Sequence, residues 1–336
     1  MKAVALTHYL PIEDPNVFLD VELDKPTPAG HDILVQVKAV SVNPVDTKVR
    51  APKDTIEDAP RVIGYDASGV VEAIGPDVAI FKPGDEVYYA GDITRSGTNQ
   101  EFHLVDARVV GRKPQSLSHA EAAALPLTTI TAYEAFFDRL GIDRNGAYKG
   151  QSILIIGAGG GVGSIGIQLA KAAGLTVIAT ASRPETSAWV TELGADHVVN
   201  HREDMVAQVR ALGMNYVDHV AIINDMDHWD TAVELIRPQG GLVTIEDTDA
   251  AMPMAGMKMK AASLHWEFMF ARSMHQTPDM IEQHKLLTYV ADEIDAGRIR
   301  TTVSQILTPI NSANMREAHR LIETGQAKGK IVVEGF

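Results

Sequence analysis

The chain reads as an α/β protein with two parts, a discontinuous β-rich domain and a doubly wound parallel-sheet domain. Three observations point there: short β-rich runs broken by turn residues up to about residue 120, alternating strand and helix signals after Ser152, and a lone closing run, Lys330-Ile-Val-Val-Glu. Strands separated by amphipathic helices need crossover connections, so their sheet is expected to be parallel. One isolated strand is not stable, so the closing run is expected to return to the β-rich domain. The boundaries that follow are 1–125 with 269–336 for the β-rich domain, and 126–268 for the parallel sheet.

Taken in order, Ile33-Leu-Val-Gln-Val-Lys-Ala-Val alternates as a strand does, and Val70-Val-Glu-Ala-Ile-Gly and Asp85-Glu-Val-Tyr-Tyr supply two more around the turn Lys82-Pro-Gly-Asp. At Ser118 the texture changes, and Ser118 with Glu121 forms the S-x-x-E pattern of a helix capping box. Strands are then expected at Ser152–Ile156, Thr176–Thr180 and His197–Val199, with helices at Gly163–Ala173 and Glu185–Leu193. A further helix is expected near Asp279–Ala296.

At 336 residues the chain exceeds what one hydrophobic core ordinarily supports, which agrees with two domains. The net charge of −14 opposes a surface that tracks nucleic-acid phosphates, because such affinity comes largely from lysine and arginine. With no cysteine, disulfides, thiol nucleophiles and thiolate-bound zinc are excluded together. The N-terminus turns polar at Thr7-His8, and no apolar run approaches the roughly 20 residues of a membrane helix. A cytoplasmic protein with no membrane or nucleic-acid partner is expected.

The most specific local signal is Ser152-Ile-Leu-Ile-Ile-Gly-Ala-Gly-Gly-Gly-Val-Gly, in which a buried strand enters a glycine turn that opens a helix. Bare backbone at Ala158, Gly159, Gly160, Gly161, Val162 and Gly163 would let a pyrophosphate approach the helix N-terminal amides. About 20 residues later, where a carboxylate would hold the ribose hydroxyls of NAD, stand Ser182 and Arg183. A hydroxyl and a guanidinium suit a 2′-phosphate, which favours NADPH, while neighbouring Glu185 keeps NADH open.

These features resemble the medium-chain dehydrogenase/reductase superfamily, and in particular its zinc-free, quinone-reductase-like branch. The similarity runs through Ser41-Val-Asn-Pro-Val-Asp-Thr-Lys, Gly64-Tyr-Asp-Ala-Ser-Gly-Val-Val-Glu, Lys82-Pro-Gly-Asp-Glu-Val, the glycine turn and Leu193-Gly-Ala-Asp-His-Val. It implies a GroES-like β-rich domain joined to a Rossmann domain. Zinc alcohol dehydrogenases of the superfamily hold a catalytic metal with cysteine, histidine and cysteine beside a glutamate, and the corresponding positions are Asn43, Tyr65 and about Leu127, beside Asp66. An amide, a phenol and an aliphatic chain cannot replace thiolate and imidazole, so no metal is expected.

Without a Lewis acid the acceptor must carry its own electron sink, as a quinone or an α,β-unsaturated carbonyl does. The resemblance therefore implies an NADPH-dependent quinone reductase. The alternatives are an enone or alkenal reductase and a crystallin-like NADPH-binding structural protein. It also implies that Asn43 and Tyr65 orient the acceptor, with Asp46 supplying a positioning hydrogen bond. Thr131, His201 and Lys330 match cofactor-facing positions. In their bland readings Asn43 serves the turn before Pro44, Tyr65 is an interior phenol, and Thr131 bonds its own helix, while for Asp46 the structural reading is preferred to a catalytic one. The aromatic and methionine-rich stretch from Leu264 to His275 suits a pocket for a flat substrate, a core or a subunit edge, and the resemblance implies a homodimer.

Overall fold

The computed structural model describes residues Met1 to Phe336. It divides into two compact units, Met1–Leu127 with Phe270–Phe336, and Thr128–Met269, so the first unit is built from both ends of the chain.

The first unit carries β1 (Lys2–Tyr9), β2 (Leu19–Glu22), β3 (Asp32–Val42), β4 (Lys53–Val62), β5 (Ala67–Ile74), β6 (Glu86–Tyr89), β7 (Phe102–Asp106) and β8 (Val110–Arg112). The long strand β3 organises it, pairing antiparallel with both β5 and β7. Its alternating Ile33, Val35 and Val37 enter a core shared with Val71, Val87 and Val105. The helix Pro44–Arg50 follows β3 directly. Proline at its first position presets the helical φ, and the Asp46 carboxylate reaches back to the Asn43 N–H at 2.7 Å.

In the second unit lie β9 (Ser152–Ile156), β10 (Thr176–Thr180), β11 (His197–Val199), β12 (Val217–Ile222), β13 (Ile236–Thr244) and β14 (Ser263–Trp266). They form one sheet in the order β11-β10-β9-β12-β13-β14, and every pairing is parallel. The apolar run of β9 reflects burial on both faces: Ile153 and Ile155 join one core, whereas Leu154 and Ile156 join another on the opposite side. The strand order reverses between β9 and β12, and such a switch point opens a crevice beyond the C-terminal strand ends.

The chain then returns to the first unit with β15 (Val303–Leu307) and β16 (Lys330–Glu334). Strand β16 lies antiparallel on β3, Ile331 opposite Val42 and Val333 opposite Val40. That pairing places Lys330 beside the end of β3. No helix is long and apolar enough to cross a membrane.

Candidate active site

The glycine turn occupies the switch point of the parallel sheet. Gly157 leaves β9 with φ of 89°, a left-handed conformation that favours glycine, and its N–H donates to Thr180 Oγ1 at 3.1 Å. Gly160 caps the helix Gly161–Ala172 and has no side chain to occupy the first-turn amides. At Gly163 a Cβ would lie 2.5 Å from the Ala158 Cα, so only glycine lets the helix pack this closely on the strand end. Ala158, Gly159, Gly160, Gly161 and Val162 thus form a bare backbone turn ahead of a helix dipole, which fits a pyrophosphate.

Beyond β10, Ser182 and Arg183 line an open groove of about 800 Å³ together with Ser187, Asn200 and Gln208. Arg183 caps the helix Pro184–Glu192, and its Nε lies 3.2 Å from Glu185 Oε1. The structure therefore brings together the cation suited to NADPH and the carboxylate suited to NADH. His201 follows β11, its ring 6.0 Å from that of His228. Burial holds the His201 pKa below its usual value, and the charges of His228, Arg202 and Arg183 push the same way. Thr131 is buried on the helix Pro126–Tyr133.

A second polar group lies wholly within the β-rich unit and is built from five separate pieces of chain. Ser41 and Asn43 come from the end of β3, Asp46 from the helix after it, Tyr65 and Asp66 from the turn before β5, Leu127 from the helix Pro126–Tyr133, and Lys330 from the start of β16. Gly64 makes the turn with φ of 113°, where a Cβ would lie 2.5 Å from Asn99 Oδ1. Thr98 Oγ1 then fixes the next peptide by donating to the Asp66 carbonyl at 3.1 Å.

Asp66 is the centre of this group. Its Oδ2 accepts from Ser41 Oγ at 2.8 Å, Asn43 Nδ2 at 2.7 Å and Lys330 Nζ at 3.1 Å. Its Oδ1 accepts from the Leu127 N–H at 2.8 Å. Lys330 also donates to the carbonyl of Val42 and to Asn43 Oδ1. Asp46 is equally buried, and its Oδ1 has no hydrogen-bond partner. Burial is the main reason its carboxyl is pushed up to about 7, against the Asn43 N–H and the Lys330 charge, which pull it down. Tyr65 packs edge-to-face on Phe270 with ring centroids 5.4 Å apart. Burial, reinforced by the Asp46 charge, pushes its phenol well above the ordinary tyrosine range.

Comparison with known proteins decides the family. Residues 29–130 match the model of the alcohol dehydrogenase GroES-like domain and residues 193–333 that of the zinc-binding dehydrogenase. A zinc-type alcohol dehydrogenase-like protein of Staphylococcus aureus, SAS2087, is 45% identical over 335 residues, covering 99% of each chain. This chain belongs to the medium-chain dehydrogenase/reductase superfamily. A solved structure named for a zinc-dependent alcohol dehydrogenase of Rhizobium etli superposes with a TM-score of 0.94 at 55% identity, covering 100% of this chain and 98% of that one. The quinone oxidoreductase of Coxiella burnetii gives 0.81 at 26% identity, covering 100% and 99%. Within this superfamily the protein is an oxidoreductase that binds a nicotinamide cofactor.

The zinc in these family names does not fit the residues present. Asn43, Leu127 and Asp66, three of the positions that the resemblance matches to a metal centre, do meet in space, but they offer an amide, a backbone N–H and one carboxylate already saturated by donors. No three histidine, cysteine, aspartate or glutamate side chains are grouped to hold a metal. The Lys330 Nζ stands against the oxygens a metal would need. Lys330, expected at the cofactor, is thus engaged by Asp66 and Asn43. Ser41, Thr98 and Thr180 were not singled out from the sequence, and only their long-range partners give them a role.

Proposed function

We propose that this protein is a zinc-independent reductase that takes NADPH as hydride donor and reduces a small quinone. The observation that carries this reading is the Asn43–Asp66–Lys330 cluster, in which two of the positions matched to the metal centre, Asn43 and Asp66, are tied to a lysine, and these groups cannot polarise a carbonyl as a Lewis acid. A quinone needs less help, because it spreads the incoming negative charge over its own conjugated carbonyls. The name of the Coxiella relative points the same way.

Bound reduced nicotinamide supplies the hydride; the rest of the work falls to this chain's own side chains. The glycine turn would hold the pyrophosphate, with Ser182 and Arg183 on the 2′-phosphate and Thr131 and His201 as further cofactor contacts. In the β-rich unit, Asn43 Nδ2 has two N–H groups, one given to Asp66 and the other shared between Asp46 and an acceptor oxygen. Tyr65, held neutral by burial, can donate as well. Asp46 supplies the proton, since a carboxyl near 7 is both protonated often enough and acidic enough at neutral pH. For the homodimer, exposed Trp266 and Phe268 at the edge strand β14 offer an apolar seam.

The test is NADPH oxidation across quinones, enals and saturated aldehydes of similar size, before and after dialysis against a chelator. Quinones should react fastest, with no change on chelation. Faster turnover of enals would transfer the reading to a double-bond reductase. A preference for saturated aldehydes, or activity lost on zinc removal, would reject it.

A further inference from the structure

Three acceptors surround the Lys330 nitrogen: the Val42 carbonyl, Asn43 Oδ1 and Asp66 Oδ2. A neutral amine has only two N–H groups and would turn its lone pair toward one of these oxygens, whereas an ammonium satisfies all three. Burial is the largest influence on Lys330 and lowers its pKa, while the adjoining Asp66 and Asp46 carboxylates work the other way. Three acceptors around one nitrogen point to the ammonium. An ammonium only donates and a carboxylate only accepts, so the pair also determines which end of the Asn43 amide is which. Oδ1 must face Lys330, and Nδ2 must face Asp66.

We propose that Lys330 is the built-in cation of this site: it takes the place of a metal ion against Asp66 and, as a positioning residue, locks the Asn43 amide with one N–H on Asp66 and the other directed to the acceptor. Its effect on turnover rests on the reductase reading above, while its charge state does not. With the ammonium removed, Asp66 would be buried without its counter-charge and nothing would hold the Asn43 Oδ1 end, so the amide would be free to turn.

Three variants test this: Lys330→Met, which removes the charge at similar length; Lys330→Arg, which keeps it; and Lys330→Met with Asp66→Asn, which removes both charges. Lys330→Met should lower kcat by about 100-fold, the scale of loss expected from misplacing a reacting group. Its NADPH dissociation constant, read by fluorescence, should stay unchanged, and Lys330→Arg should recover part of kcat. The double variant should regain thermal stability without regaining kcat, and it carries the test if the single variant fails to fold. Recovery of kcat along with stability, or full activity in Lys330→Met, would reduce the lysine to a structural strut and overturn the proposal.

A second readout needs no substrate. Protein carrying ¹⁵N-lysine should show a slowly exchanging ammonium signal that disappears in Lys330→Met, while those of the held Lys113 and Lys260 remain. A neutral amine at this position, or stoichiometric zinc in the wild type after equilibrium dialysis, would overturn the proposal even if no substrate is ever found. Absence of NADPH-dependent turnover in the wild type would instead count against the function alone.

Discussion

Replacing Arg183 by alanine is the sharpest test of cofactor choice. The guanidinium stands at the end of β10 on the rim of the groove, 28% exposed, with Glu185 paired to its Nε at 3.2 Å. A charge-assisted hydrogen bond to a phosphate is worth on the order of 1.5 to 3 kcal/mol. Partial exposure and competition from Glu185 place this one in the lower half of that range. About 1.5 to 2 kcal/mol corresponds to a loss of NADPH affinity of about 10- to 30-fold. NADH carries no 2′-phosphate, so its affinity should hold. The converse substitution, Glu185→Gln, removes a negative charge that would face the 2′-phosphate and should tighten NADPH about 2- to 5-fold, the usual scale of an exposed ion pair. Fluorescence titration of both cofactors against wild type and the two variants reads all of this. Equal losses for NADPH and NADH in Arg183→Ala would mean general damage to the fold. A wild type that prefers NADH would mean that Glu185, not Arg183, faces the ribose.

Asp46→Asn keeps an acceptor for the Asn43 N–H but carries no proton to give; quinone reduction should slow by about 10²- to 10⁴-fold. The wild-type kcat should fall as pH rises through about 7, where Asp46 loses its proton, and that limb should be missing in the variant. A limb that persists would assign the proton to another group. His319 is fully buried, its ring edge-to-face with Phe18, and neither ring nitrogen has a partner. Burial, with the Arg50 charge, lowers it to about 3, so below about 6.5 the unfolded chain takes up a proton that the folded chain refuses. Stability is therefore full above about 6.5 and falls with acidification, by roughly 2 to 3 kcal/mol between pH 6.5 and 4.5 from this residue. Urea denaturation at the two pH values should show His319→Leu losing that much less than wild type; equal losses would refute it.

What could be read from the sequence was whatever is written in neighbouring residues. The glycine turn is legible because its demands are on the backbone itself: a left-handed φ at Gly157 and contact at Gly163 leave no residue but glycine. The helix start at Ser118 is legible because the Ser118–Glu121 box is closed within four residues. The parallel sheet is legible from uninterrupted runs such as Ile153 to Ile156. Strand β4 is not, since Lys53-Asp-Thr-Ile-Glu-Asp-Ala-Pro-Arg-Val is mostly exposed and holds a proline, which an edge strand tolerates. The partnership of Lys330 with Asp66 is the extreme case. The residues are 264 positions apart, and only the pairing of β16 with β3 brings them together.

That partnership also explains why the same small cluster would lack a metal and yet hold a proton. Asp46 and Asp66 are both buried, and ionised together they place two negative charges in a region of low dielectric. A divalent cation would cancel both and leave nothing to titrate near neutrality. A lysine cancels one. The remaining charge must be avoided by protonation, and it falls on the carboxyl with the poorer set of donors. Asp66 has four, whereas Asp46 has the Asn43 N–H on one oxygen and none on the other. Burial raises the Asp46 pKa most, and the two charged neighbours pull it in opposite directions, Lys330 lowering and Asp66 raising it. In the proposed reaction, a site with a single fixed positive charge exchanges Lewis-acid chemistry for Brønsted-acid chemistry. Reduction of a quinone calls for that exchange, since the hydride arrives at an acceptor already able to bear its charge and a proton is still required to complete the product.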